Sequence, residues 1–272
     1  MAVALVTGAA GAVGSVVARR LRDEGYEVRA MVRRAGSARI EGAREVVADL
    51  GDPAALAAAA RGADVCVHCA AVISADLDEC RRMNVDGTRD LIDALGGARL
   101  VHISTVSVYD LRGTQPGEEI DERAPAAASP KFAYGRSKAD AEALVLATGA
   151  ATILRPAIVL SLHASSYWGP LARARARLAR QPIYGAVDLP YVHADNLATA
   201  ALLALRAPAA AGGIYNVVDG HGPAADYLAA VGSPPLPPNA PSLRISGAKL
   251  RRELGYAPPD RWAEFLAQLA GL

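Results

Sequence analysis

The chain has 272 residues, 52% of them hydrophobic, and carries 29 basic against 28 acidic side chains for a net charge of +1. This length supports a sizeable core with a smaller appended lobe. The even charge balance lacks the basic excess of proteins that bind nucleic acid or anionic membrane, and no apolar run approaches the ~20 residues that span a bilayer, so both are excluded as partners.

Ala2 to Val6 has the length and apolar character of a buried strand, and Ser15 to Leu21 reads as a helix. Between them stands Thr7-Gly8-Ala9-Ala10-Gly11-Ala12-Val13-Gly14. A glycine-rich turn leading from a strand into a helix predicts a dinucleotide site: Gly8 permits the tight turn, Gly11 admits a pyrophosphate close to the backbone, and Gly14 allows close packing of helix on strand. Free amides and the positive end of the helix dipole then hold the anion without a basic side chain.

Glu27 to Val32 is a second strand that ends at Arg33-Arg34. NAD-preferring sites of this kind place a carboxylate here, whereas an arginine fork suits a 2′-phosphate, so the sequence predicts NADP(H) as the preferred cofactor, with NAD(H) admitted. The plainer reading of Arg33 and Arg34 is a solvated basic loop. Val46 to Leu50 is a third strand, and Asp52-Pro53 starts an alanine-rich helix that runs to Arg61-Gly62. Asp49 stands either as an acceptor for the adenine amino group or as a local turn residue.

Val65 to Ala71 is the fourth strand, followed by Val72. Cys66-Val67-His68-Cys69 lies within it, and adjacent strand side chains point to opposite faces, so no metal site is expected. Cys66, Cys69 and Cys80 make an odd set without a disulfide framework, and the chain enters a strand directly, which predicts a reduced, cytoplasmic protein. Asn84-Val85 begins a helix over 85–95, and Leu100 to Ile103 is a fifth strand. Strand-helix units at this spacing predict an α/β fold with a parallel sheet covered by helices on both faces.

The fifth strand runs into Ser104-Thr105-Val106-Ser107-Val108-Tyr109, and Tyr134-Gly135-Arg136-Ser137-Lys138 heads a later helix. Four residues apart on a helix, Tyr134 and Lys138 share a face, where an ammonium beside the phenol would lower its pKa towards neutrality. The alternative is an ordinary amphipathic pair. Further on, Arg173, Arg177 and Arg180 share one face of a helix read over 171–181, a solvated basic face or an anion contact. Pro234-Pro235-Leu236-Pro237-Pro238 reads as an extended surface segment.

In order and spacing, these motifs resemble the extended branch of the short-chain dehydrogenase/reductase superfamily, the NAD(P)-dependent epimerase/dehydratase/reductase type. The likeness is carried by Thr7-Gly8-x-x-Gly11-x-x-Gly14, Asp49-Leu50, His68-x-Ala70-Ala71, Asn84-Val85-x-Gly87-Thr88, Ser104-Thr105-x-x-Val108-Tyr109 and Tyr134-x-x-Ser137-Lys138. Leu154-Arg155-Pro156, Tyr191-Val192-His193-Ala194-Asp195-Asn196-Leu197-Ala198 and Ile214-Tyr215-Asn216-Val217 continue it.

The resemblance implies a Rossmann-type doubly wound parallel sheet with a smaller C-terminal substrate lobe. Residues 1–156 would bind NAD(P), and 157–272 would mainly form the lobe, with segments near 187–217 returning to the core. Tyr134 would be the general acid/base, Lys138 would bind the nicotinamide ribose, and Thr105 would hold the substrate oxygen, with Ser104 and Ser107 close enough to be confused with it. The cofactor would lie along Gly8, Ala10, Gly11, Ala12, Val13, Gly14, Arg33, Arg34, Asp49 and Leu50. Its other half would meet Ala70, Ala71, Val72, Tyr134, Lys138 and Pro156. Ser107, His163, Tyr167 and Trp168 are candidate substrate contacts, although Leu160-Ser161 replaces the family's usual Tyr-Gly-Pro.

Dehydratases of the family follow the catalytic Thr with Asp-Glu, where this chain has Val106-Ser107. That difference, together with Arg33, favours an NADP(H)-dependent reductase of a ketone or aldehyde in a small apolar or aromatic metabolite, of the sort found in secondary metabolism. The alternatives are a nucleotide-sugar epimerase or dehydratase and, in another class, a non-catalytic NAD(P)-sensing protein. The resemblance also implies a homodimer across helices 85–95 and 134–146.

Overall fold

The computed structural model describes residues 1–110, 118–129, 132–172, 174, 187–236 and 244–272. Arg173, Arg177 and Arg180 of the basic helix lie outside these residues, as do Pro237 and Pro238.

The strands in chain order are β1 (Val3–Thr7), β2 (Glu27–Val32), β3 (Arg44–Val47), β4 (Val65–His68), β5 (Arg99–Ile103) and β6 (Glu119–Ile120). They continue with β7 (Thr152–Pro156), β8 (Ile158–Leu160), β9 (Asp188–His193), β10 (Ile214–Val217), β11 (Gly220–Pro223) and β12 (Arg244–Ile245). The helices are α1 (Gly14–Asp23), α2 (Pro53–Ala60), α3 (Leu77–Cys80), α4 (Gly87–Leu95) and α5 (Ala133–Ala147). After these come α6 (Ala194–Arg206), α7 (Ala224–Val231), α8 (Ala248–Leu254) and α9 (Trp262–Ala270).

Seven strands form one sheet in the order β10-β7-β5-β4-β1-β2-β3, and every pairing in it is parallel. Successive side chains alternate between its faces. Leu5, Cys66, Leu100 and Ile153 pack with Leu56 of α2, Leu91 of α4 and Val145 of α5. Their neighbours Val6, Val67, Val101 and Leu154 pack on the opposite side with Leu21 of α1 and Leu197 of α6. Both faces are therefore buried, which is why these strands are almost continuously apolar. The chain folds as a Rossmann-type α/β sheet.

A three-stranded sheet, β11-β9-β8, stands apart from the main one. Leu160, Leu189, Tyr191, Tyr227, Trp262 and Phe265 form its core. Of the segments between 187 and 217, β9 belongs to this small sheet, while β10 joins the main sheet and α6 packs against it. A short parallel pair, β6 with β12, completes the topology.

Several boundaries differ from the sequence expectation. The third strand stops at Val47, ahead of Leu50, and the fourth stops at His68, so that 69–72 is free to turn. Asn84 does not start a helix: it lies inside a continuous helical run made of α3, a π-helical stretch over Arg81–Asp86, and α4. Its side chain accepts from the backbone N–H of Val72 at 2.8 Å and donates to the carbonyl of Val72 at 2.9 Å and to Ser137 Oγ at 2.9 Å. The widened turn lets this buried amide reach both the loop after β4 and helix α5.

Candidate functional site

The turn between β1 and α1 is built by its glycines. Gly8 has φ +66°, and a Cβ there would lie 2.9 Å from the backbone of Ala70. A Cβ on Gly14 would lie 2.3 Å from the Gly8 carbonyl oxygen, whereas one on Gly11 would meet that oxygen at 3.2 Å. The Gly11 N–H donates to the same oxygen at 2.9 Å, which closes the turn. Thr7 Oγ1 accepts from the N–H groups of Cys69 and Ala70, both at 3.1 Å, and so joins the turn to the end of β4.

Two cavities flank this turn and meet at Gly8, Gly11, Cys69, Ala71 and Ser165. One, of about 360 Å³, is lined among others by Ala10, Arg33, Leu50, Ala70 and Val72. The other, of about 350 Å³, takes in Ala12, Val13, Gly14, Thr105, Ser107, Tyr134, Pro156, Tyr167 and Trp168. The glycine cradle and this bipartite space fit a dinucleotide.

Four expected residues lie elsewhere. Arg34 is exposed on the loop and outside both cavity linings, with its carbonyl accepting from Ser37 Oγ. Asp49 Oδ1 accepts from Gly51 N at 2.9 Å, a local turn bond, and the residue is absent from both cavity linings. His163 lines neither cavity, and its Nδ1 is 2.8 Å from Ser165 Oγ. Lys138 is 1% exposed, is absent from both cavity linings, and donates to His102 Nε2 and to the Ile103 carbonyl, both at 2.9 Å.

That last contact corrects the expected electrostatics. Burial pushes the Tyr134 phenol up to about 12, with the nearby Cys80 adding to the rise, instead of an ammonium drawing it down. Burial likewise lowers the Lys138 ammonium to about 8 against the opposing pull of Glu142. Burial, followed by the charge on Lys138, lowers His68 to about 3. His68 Nδ1 is 2.7 Å from Thr7 Oγ1 and its Nε2 is 3.0 Å from Thr88 Oγ1.

Residues 4–218 match the NAD dependent epimerase/dehydratase family. The chain belongs to this family. A 2-alkyl-3-oxoalkanoate reductase of Stenotrophomonas maltophilia is 34% identical over 262 residues, covering 85% of this chain and 76% of that protein. A 4-hydroxy-2-methyl-3-oxo-4-farnesyl-3,4-dihydroquinoline-1-oxide ketoreductase of Stigmatella aurantiaca is 31% identical over 229 residues, 79% of this chain and 67% of that protein. The crystal structure of a short-chain dehydrogenase/reductase superfamily protein from Agrobacterium tumefaciens with bound NAD superposes with a TM-score of 0.79 at 26% identity, over 99% of this chain and 96% of that one. The chain is an NAD(P)-dependent oxidoreductase of the short-chain dehydrogenase/reductase type.

Within this epimerase/dehydratase-family site, three hydroxyls stand near Tyr134. Thr105 Oγ1 accepts from Ser107 N at 3.1 Å and caps the short 3-10 turn Val106–Val108, which leaves its proton free to donate. Ser104 Oγ is buried with no hydrogen-bond partner among the described residues. Sequence reasoning missed much of the apolar wall, namely Ile73, Phe132, Ala157 and Val159. Phe132 carried a usable signal, two residues before Tyr134, and its ring meets Tyr134 edge-on at 6.0 Å. Nothing marked Ile73 or Val159, because a single aliphatic residue on a loop or strand is uninformative without its neighbours. No helix among the described residues is long and apolar enough to cross a membrane.

Proposed function

We propose that this oxidoreductase reduces the ketone or aldehyde carbonyl of a small apolar or aromatic metabolite, with NADP(H) as the preferred cofactor. The observation that carries the reading is the 350 Å³ cavity itself. It brings a protonated Tyr134 phenol and the Thr105 and Ser107 hydroxyls together against Ile73, Phe132, Val159 and Trp168, and no charged side chain lines it among the described residues. Such a wall suits a neutral apolar substrate, and among the described residues it offers no basic side chain to the diphosphate of a nucleotide sugar. The two reductase relatives, named for 3-oxo compounds, support the same reading.

When bound, NADPH would supply the hydride for the carbonyl carbon. Thr105 donates a hydrogen bond to the carbonyl oxygen, and Tyr134 passes its phenol proton to that oxygen as negative charge develops there. The Tyr134 phenol, whose pKa burial raises, carries its proton at neutral pH and so has one to give. Arg33, on the adenosine side, offers its guanidinium to the 2′-phosphate, and Lys138, one helical turn after Tyr134, is the candidate for the ribose hydroxyls. The assembly that fits is a homodimer across α4 and α5, which light scattering would register as twice the 28.1 kDa chain.

The test is NADPH oxidation by the wild type and Tyr134→Phe across ketones, aldehydes and nucleotide sugars. Loss of a general acid is expected to lower turnover by about 10² to 10⁴ with little change in NADPH affinity. Equal turnover by both proteins would sink the mechanism, and turnover of nucleotide sugars alone would sink the substrate class.

A further inference from the structure

We infer that His102 is a positioning residue for Lys138: its neutral imidazole, on β5, accepts the hydrogen bond that holds the ammonium beside the end of the strand. The inference rests on the reading in which Lys138 serves the bound cofactor.

The geometry leaves the ammonium dependent on neutral acceptors. Lys138 and His102 are 1% and 0% exposed, and the ammonium donates to His102 Nε2 and to the Ile103 carbonyl. The carboxylate one turn further along α5, Glu142, is engaged by Arg155, whose Nε lies at 2.9 and 3.2 Å and whose Nη2 lies at 2.6 Å. The charge on Lys138 also acts on His68, the last residue of β4, and on Cys69 just beyond it. The His68 ring centroid is 5.1 Å from that of His102.

The proton positions follow from the donors. An ammonium only donates, so His102 Nε2 must accept, which places the ring proton on Nδ1. His102 Nδ1 is buried and has no hydrogen-bond partner among the described residues. His68 is fixed independently. Thr88 Oγ1 donates to the Asn84 carbonyl at 2.6 Å, so it accepts from His68 Nε2–H and leaves His68 Nδ1 to accept from the Thr7 hydroxyl. Both rings are therefore neutral while Lys138 is charged. A buried imidazole with an unmatched N–H packs no better than leucine or phenylalanine and costs more to bury. What offsets that cost is the hydrogen bond that its Nε2 accepts from Lys138.

Without this acceptor the buried ammonium is less stable, so it should lose its proton at lower pH and hold the dinucleotide less well. The experiment is NADPH binding, followed by nucleotide fluorescence from pH 6 to 10, on the full chain. The proteins are wild type, His102→Leu, His102→Gln and Lys138→Met. Wild-type affinity should fall on the alkaline side, and Lys138→Met should abolish that limb. His102→Leu should move the limb down by about one pH unit, since a hydrogen bond to a charged group is worth at least that. His102→Gln, whose Oε1 restores an acceptor, should return it towards the wild-type position.

A His102→Leu limb that coincides with the wild type, while Lys138→Met abolishes it, would overturn the role of His102 and leave the cofactor reading standing. A limb that survives Lys138→Met would overturn the role of Lys138 and the inference with it. ¹⁵N spectra of the wild-type imidazole provide a check that needs no variant. His102 should remain the neutral Nδ1–H tautomer from pH 5 to 9, and titration near the ordinary histidine pKa would refute the assignment.

Discussion

Replacing Gly11 or Gly14 by alanine should in each case weaken NADPH binding, but only the second replacement should also destabilise the fold. At Gly14 the added methyl would sit 2.3 Å from the Gly8 carbonyl oxygen, 2.7 Å from its carbon and 3.1 Å from the Ala9 Cα. All three are backbone atoms that cannot rotate away. Overpacking costs about 1–3 kcal/mol, and the gain of up to ~1 kcal/mol from alanine's better helix propensity offsets only part of it. A net loss of roughly 1–2 kcal/mol should lower the melting temperature by about 2–8 °C, and the distorted turn should also bind NADPH poorly. At Gly11 the methyl would meet a single atom, the Gly8 oxygen at 3.2 Å, which a shift of a few tenths of an ångström relieves. Its fold should therefore be nearly unaffected, with a melting temperature within about 2 °C of wild type. NADPH affinity should still fall by at least about tenfold, because the methyl stands where a pyrophosphate must approach the backbone. Thermal melts and NADPH fluorescence titrations on the two variants read both quantities. Wild-type affinity in Gly11→Ala, or an unchanged melting temperature in Gly14→Ala, would refute the division of tasks within the turn.

Arg33→Ala should weaken NADPH about tenfold or more, the worth of a charge-assisted hydrogen bond, and leave NADH nearly unchanged; parallel losses for both would remove the case for NADP(H). Glu142→Gln strands a buried guanidinium, since the Arg155 and Glu142 side chains are 3% and 2% exposed. The cost should be about 3–5 kcal/mol in urea unfolding, and a loss under about 1 kcal/mol would show that water reaches the pair. The buried histidines should make the fold acid-sensitive. His68 titrates near 3 when folded and at its ordinary value of 6.5 when unfolded, so the unfolded chain binds the extra proton between those values. Stability attributable to His68 is thus full above about pH 6.5 and should fall by about 1.4 kcal/mol per unit as pH drops towards 3, with His102 acting in the same direction. His68→Gln should flatten that acid limb of the chemical-denaturation curve; identical limbs would refute the assignment.

The sheet was legible because burying both faces requires long apolar runs, and Val3–Thr7, Glu27–Val32 and Arg99–Ile103 supply them. The turn was legible because Gly8, Gly11 and Gly14 each answer a local demand. Asn84 misled because an asparagine before an apolar run is the ordinary sign of a helix start, and its actual bonds go to Val72 and Ser137, the latter 53 residues away. Lys138 misled for a similar reason: helical spacing placed it beside Tyr134, but its nearest acceptors lie on β5, 35 and 36 residues earlier. The hydroxyls of Thr105 and Ser107 could be named from spacing alone, whereas the apolar wall facing them comes from separate elements and exists only once they are packed.

The link between Glu142 and Arg155 also bears on how α5 is aimed. Glu142 lies two helical turns beyond Tyr134 on α5, and its carboxylate grips a guanidinium rooted in β7, which in turn donates to Tyr109 Oη at 2.8 Å while that hydroxyl donates to Asn216 on β10. A helix packed only through aliphatic side chains can roll about its axis by several degrees at little expense. One clamped by a bidentate pair cannot, and a small roll near Glu142 would swing the phenol at the other end sideways across the cavity. The Glu142–Arg155 pair therefore ties the helix that carries Tyr134 to two strands of the main sheet, β7 directly and β10 through Tyr109.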